Sequence, residues 1–226
     1  MDDAMAAAGV RRSWVPLDRI KHLLLRLRYA SVVRASRSVE GWLSDREAIA
    51  LYRLARAIPR RDAVVVELGS WVGKSSVVLA LGLRGKSGAT LYCVDPFNAD
   101  GDAESRADYA ARAPTGSLQD AFLRNIERHR VADIVRVLPG YSHAYAATFD
   151  RPADLLFVDA NHDYDAVRRD LTEWGRHVRA GGVLALHDVA DYCDGPRRAA
   201  AELLAAAPEW RQVAQIDTLL VIQRGG

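Results

Sequence analysis

The sequence is poor in cysteine. Its two, Cys93 and Cys193, are far apart and in no metal-type spacing, so no disulfide framework or thiolate metal site is expected. Cys93 falls in a strand-like run and reads as a small buried hydrophobe, and a reducing, cytoplasmic setting fits. No segment is apolar for ~18 residues, which leaves no candidate membrane-spanning helix. A signal-peptide core is missing too, because Arg11, Arg12, Asp18, Arg19 and Lys21 interrupt the N-terminal region. Neither sign of charge dominates: 31 Lys and Arg against 29 Asp and Glu leave +2. That balance argues against nucleic acid as the main partner. No internal repeat is visible.

What is present suits one α/β domain of ordinary size. Half of the 226 residues are hydrophobic, enough for a core that needs no cross-links. The Ala-rich start, residues 1–10, reads as mobile. Residues 17–33 pattern as a helix with Ile20, Leu23, Leu24 and Leu27 on one side and Arg19, Lys21, Arg26 and Arg28 on the other. The basic side reads as a solvated face; the apolar side makes a homo-oligomer plausible. Residues 1–43 are accordingly assigned to an N-terminal helical extension and 44–226 to the main domain. Ser44-Asp45-Arg46-Glu47 is a capping box opening a helix that Pro59 stops. Trp42, just before it, reads as a packed side chain, with a place beside a ligand as the alternative.

Strand-like runs follow at 63–68, 90–95, 134–138, 154–159 and 183–188. Between them lie helical stretches at 74–83, 118–129 and 164–179. Gly181-Gly182 reads as the C-cap of the last of these. Gly195-Pro196 reads as a loop break before an Ala-rich helix over 197–207. Runs 210–216 and 218–223 read as a closing hairpin. Alternating strands and helices predict a mostly parallel, Rossmann-like seven-stranded sheet with one antiparallel strand from the hairpin. The polar run 98–115 reads as a lid or substrate loop, or else as a surface insert.

The chain is organised around Val64-Val65-Val66-Glu67-Leu68-Gly69-Ser70-Trp71-Val72-Gly73-Lys74-Ser75. A buried strand runs into a turn with two glycines and then a helix whose free N–H groups face whatever sits there. A P-loop requires a longer glycine spacing than Gly69 to Gly73-Lys74-Ser75 provides. A dinucleotide fingerprint requires glycine where Glu67 stands, and a carboxylate is wrong for a pyrophosphate. An acidic residue there suits a cationic group, and an ordinary strand-to-helix turn is the plain alternative.

Ligands in open α/β sheets sit at the carboxyl ends of the strands. That edge collects Glu67, Asp95, Ser142, Asp159, His162, His187 and Asp188. Two carboxylates and two imidazoles converge around the ends of the fourth and fifth strands, which points to a metal or acid–base site. Asp159 and Asp188 are hard oxygen donors suited to Mg²⁺, and His162 has the intrinsic pKa of a base near neutrality. His187 is open: it is a ligand favouring Mn²⁺ or another softer ion, or it contacts the acceptor.

Glu67-x-Gly69-x-x-x-Gly73 is similar to the first motif of class I S-adenosylmethionine (SAM) methyltransferases. Phe157-Val158-Asp159-Ala160-Asn161-His162, with His187-Asp188 downstream, resembles the metal-dependent bacterial sugar O-methyltransferases of the methylmannose-polysaccharide and macrolide-sugar types. The resemblance implies SAM held by Glu67, Gly69, Ser70, Trp71, Gly73 and Ser75 in the first turn. Asp95 would meet the ribose, Gly140, Tyr141 and Ser142 the adenine, and Asp159 and Ala160 the rest. It implies Asp159, Asp188 and His187 around a divalent metal, Mg²⁺ or Mn²⁺, with His162 as base beside Asp159. His187 stands where the macrolide-sugar pattern has Glu. The implied partner is a small-molecule or oligosaccharide acceptor: a sugar hydroxyl, with a phenolic or catechol hydroxyl as the alternative. An NAD-binding dehydrogenase and a non-catalytic SAM-binding protein are the rivals from other classes.

Overall fold

The computed structural model describes residues 21–102 and 106–226. Five strands run parallel: β1 (Val64–Leu68), β2 (Thr90–Asp95), β3 (Val135–Pro139), β4 (Ala153–Val158) and β5 (Val178–Leu186). The hairpin of β6 (Trp210–Ile216) and β7 (Leu219–Arg224) completes the sheet, and β7 lies antiparallel to β5. The order is β3-β2-β1-β4-β5-β7-β6. This is the Rossmann-like sheet that the alternation predicts. The chain starts in the middle, winds outward to β3, then returns beside β1 at β4. That reversal opens a crevice at the carboxyl ends of β1 and β4.

Every residue of β1 is buried, as a central parallel strand requires. Period-two alternation sends Val64, Val66 and Leu68 into one core layer and Val65 into the other. Glu67 therefore falls on the Val65 side, which is covered by α3 (Lys74–Leu83). Also on that side lie α1 (Ala30–Arg37), α2 (Asp45–Ala57) and α5 (Leu118–Arg128); α7 (Tyr164–Gly175) and α8 (Asp194–Ala206) cover the other. Two short helices, α4 (Arg106–Arg112) and α6 (Ser142–Ala146), sit near the crevice. Among the described residues, no helix is long and apolar enough to cross a membrane.

Several local expectations change. Of the helix expected over 17–33, residues 21–28 are helical, Tyr29 interrupts and α1 follows; residues 1–20 lie outside the described residues. Leu23, Leu24 and Leu27 are exposed, while α1 buries Val32, Val33 and Ala35 against α2 and α3. The polar run 98–115 is not loop throughout, since it contains α4.

The helix expected to reach 179 ends at Gly175, and Gly181-Gly182 is not its cap. Those glycines lie inside β5, where pairing jumps from Ala153↔Val178 to Leu155↔Val183. Gly181 has φ +76°, and a Cβ on Gly182 would stand 2.8 Å from Val178 Cγ1. The pair bends a bulged strand. Gly195-Pro196 is not a loop break either but lies in the first turn of α8, where proline has no helical N–H to forfeit.

Candidate functional site

The glycine turn is held from below. Gly69 N–H donates to Val94 O at 2.9 Å, and Asp95 accepts from Ser70 N at 2.7 Å, Trp71 N at 2.8 Å and Phe97 N at 2.6 Å. The carboxylate expected at a ribose thus also ties the turn to β2. Trp71 adopts φ +47°, a left-handed conformation that costs a non-glycine residue about 1–3 kcal/mol. Gly69 admits no side chain: a Cβ would lie 2.1 Å from Asp159 O and 2.6 Å from Ala160 Cα.

A cavity of about 800 Å³ opens at this edge of the sheet. Gly69, Ser70, Trp71, Ser75 and Asp95 border it from one side, and Tyr141 and Ser142 from another. Asp159, Ala160, His162, His187 and Asp188 close a third side. Glu67, Gly73 and Gly140 stand behind the wall. Glu67 is fully buried under the turn, accepting from Ser70 Oγ at 2.8 Å and from Ser76 Oγ. Burial pushes its carboxyl up to about 7 against those hydroxyls. Gly73 starts α3 at φ +93° over Phe122, and Gly140 lies under Tyr145. Ser142 Oγ donates to Asp170 Oδ1 at 2.5 Å, and burial lifts Asp170 to about 6.

The carboxylates and imidazoles do converge. Asp159 Oδ1 and Asp188 Oδ2 lie 3.2 and 3.1 Å from His187 Nδ1. On the other side, His162 Nε2 lies 3.2 Å from Asp188 Oδ2 and 3.9 Å from Asp159 Oδ1 but makes no hydrogen bond. Asp159, His162 and Asp188 offer one donor atom each, all within 4.8 Å of one another. The two carboxylates suit a divalent cation, with the imidazole nitrogen beside it. Asp188 holds φ +56°, a strained backbone that aims its side chain back at the group.

Each imidazole is backed by a carboxylate that the sequence reading did not single out for the site. His162 Nδ1 is 3.0 Å from Asp102 Oδ2, and His187 Nε2 is 3.5 Å from Glu47 Oε2. Glu47 is the capping-box glutamate: Ser44 N–H donates to its Oε2 at 2.9 Å, and Thr218 donates twice to Oε1. Burial opposes its charge, yet His187, Ser44 and Thr218 hold its carboxyl down at about 2. Burial also opposes charge on both imidazoles. Asp159 and Asp188 nonetheless raise His162 to about 11, and with Glu47 they raise His187 well above the ordinary value. Four carboxylates surround two imidazoles, so the group invites further positive charge.

Three rings form a further part of the cavity wall. Trp42, Trp71 and Tyr109 pack mutually with centroids 4.9–5.7 Å apart, and Arg112 lies over Trp42. Trp71 Nε1 is buried without a partner among the described residues.

A family model described as a methyltransferase domain matches residues 66–189. The chain belongs to this methyltransferase family. The matched span begins in β1 and ends just past Asp188, so it takes in the glycine turn and the whole Asp159–His162–Asp188 group. Solved methyltransferases share the fold. An O-methyltransferase from Bacillus cereus in complex with S-adenosylhomocysteine (SAH) is 20% identical, over 89% of this chain and 90% of that one, at TM-score 0.62. TomG, an O-methyltransferase from Streptomyces achromogenes involved in tomaymycin synthesis and solved with SAM, is 19% identical over 87% and 89%, at 0.59. An SAH-bound methyltransferase from Podospora anserina is 15% identical over 93% and 96%, at 0.64. Uncharacterized protein R132 of Acanthamoeba polyphaga mimivirus is 24% identical over 147 residues, which span 65% of this chain and 61% of that protein.

Proposed function

We propose that this protein transfers a methyl group from SAM to a hydroxyl oxygen of a sugar, with a divalent cation bound by Asp159 and Asp188. One observation carries the reading: the glycine turn and the Asp159–His162–Asp188 group border the same cavity. Gly69, Ser70, Trp71 and Ser75 would hold the amino-acid part of the cofactor, and Asp95, Ser142 and Ala160 the nucleoside. Glu67 would support the turn from beneath. Bound there, SAM supplies an electrophilic methyl whose leaving thioether needs no acid. A cation at the two carboxylates supplies a Lewis acid that lowers the acceptor hydroxyl's pKa.

The chain's own residues do the rest. His162 Nδ1 is engaged by Asp102; with the charges of Asp159 and Asp188 taken up by a cation, the pair would no longer hold the ring protonated, and Nε2 is then the atom to take the acceptor's proton. His187 faces Asp159 and Asp188 through Nδ1 and fits the role of a donor that spaces the two carboxylates better than that of a third ligand. The Trp42–Trp71–Tyr109 wall excludes water and offers flat apolar surface to a ring. That wall also favours a second reading, a phenolic acceptor stacked on the same rings.

Calorimetric titration with SAH, with and without Mg²⁺, tests the cofactor. Micromolar binding is expected, and absence of binding in both conditions would sink the reading. Labelled SAM offered with methyl mannosides and with catechols then separates the two acceptors. Turnover that survives EDTA would remove the cation from the proposal.

A further inference from the structure

We propose that Asp102 is the positioning residue of the site: it fixes the His162 ring through Nδ1 and so keeps Nε2 turned toward Asp159 and Asp188. Asp102 comes from the segment after β2, 60 residues before His162 in sequence. Its side chain is 6% exposed and that of His162 is 18%, so water competes weakly for their 3.0 Å contact. Imidazole has two nitrogens, and the partner of one decides which way the other faces. With Nδ1 given to Asp102, Nε2 meets Asp188 at 3.2 Å and Asp159 at 3.9 Å.

The segment is itself seated. Tyr109 packs so closely over Gly101 that a Cβ there would stand 2.5 Å from Tyr109 Cε2. Asn98 Nδ2 donates to Tyr141 OH at 3.0 Å on the far side. Tyr109 belongs to the aromatic wall, so the wall that would meet the acceptor also seats Asp102. The catalytic consequence rests on the methyl-transfer reading; the geometry does not.

Proton NMR of the full chain labelled with ¹⁵N-histidine tests it without an acceptor. The wild type should show a downfield imidazole N–H resonance that is absent from His162→Gln. Asp102→Asn should move or abolish that resonance, and Asp102→Glu should restore it in part, with SAH affinity unchanged in both. Gly101→Ala keeps the carboxylate but displaces it, so it should disturb the same resonance. It thereby keeps the test alive if Asp102→Asn folds poorly. Once an acceptor is known, Asp102→Asn should lower kcat about 10–100-fold, as loss of a partner behind a functional imidazole does. A resonance unaltered in Asp102→Asn, or no His162-dependent resonance in the wild type, overturns the proposal. A wild type that shows the resonance but binds no SAH overturns the methyl-transfer reading instead.

Discussion

Burial governs the chemistry of Glu67. It is 0% exposed, its Oε1 has no partner among the described residues, and its carboxyl is pushed up to about 7. A carboxyl raised in the folded state stabilises fully only below its unfolded value near 4.5, and that stability is lost as pH rises through about 7. The loss amounts to something on the order of 3 kcal/mol. Glu67→Gln removes the titration, so its Tm relative to wild type should climb between pH 5 and 8; a flat difference would show that Glu67 ionises without cost. The acid's presence was legible in the sequence, since Glu67 ends an apolar run before two glycines. Its depth was not, because alternation along β1 decides which layer receives it and the Ser70 and Ser76 hydroxyls replace water there. Asp102 and Glu47 were illegible as site residues for a different reason. One lies in a polar run, the other completes a capping box, and each meets its imidazole from 60 or more residues away.

Elements were most legible where periodicity and punctuation agreed. The glycine turn, the strand ending in Asp95 and the capping box all stand where the pattern puts them. The second half of the chain misled at Gly181-Gly182, because glycine marks a bulged strand as readily as a helix end. The two glycines serve that bulge differently, which gives a paired expectation. Gly181 has nothing within 4 Å of a built Cβ but a φ of +76°, so Gly181→Ala should cost only the backbone strain, about 1–2 kcal/mol. Gly182 has no such φ, but its Ala variant meets Val178 Cγ1 at 2.8 Å and the backbone Arg179 O at 2.9 Å, so it should cost more, about 3 kcal/mol, through overpacking. Urea unfolding of both variants checks the ranking, and equal losses would refute it.

Across the whole molecule, the two edges of the sheet divide the labour. The carboxyl edge holds the cavity, the strained residues Trp71 and Asp188 and the carboxylate–imidazole group. At the opposite edge, buried Asp154 accepts from Val64 N–H at 2.9 Å and from Arg179 Nη1 at 2.8 Å, joining β1, β4 and β5. Asp154→Ala strands the buried Val64 N–H, while the part-exposed Arg179 turns to water, and should cost about 1–3 kcal/mol. Denaturant unfolding should record that loss while SAH affinity stays at the wild-type value; a parallel fall in affinity would mean the edges are coupled. The layout of the carboxyl edge was legible in the sequence, because ligands follow strand ends in such sheets. The bracing edge left no pattern, since one aspartate and one arginine carry it.

The strand order carries a consequence for how the molecule is made. β7 follows β6 along the chain but stands between β6 and β5 in the sheet. β6 therefore has no seat in the sheet until β7 has paired with β5. Until β7 docks, the folding chain leaves the flank of β5 as an open strand edge, a template for pairing with another molecule. The link between β6 and β7 is short, a turn at Asp217 and Thr218, so the hairpin closes locally within microseconds and delivers both strands to that edge as one unit.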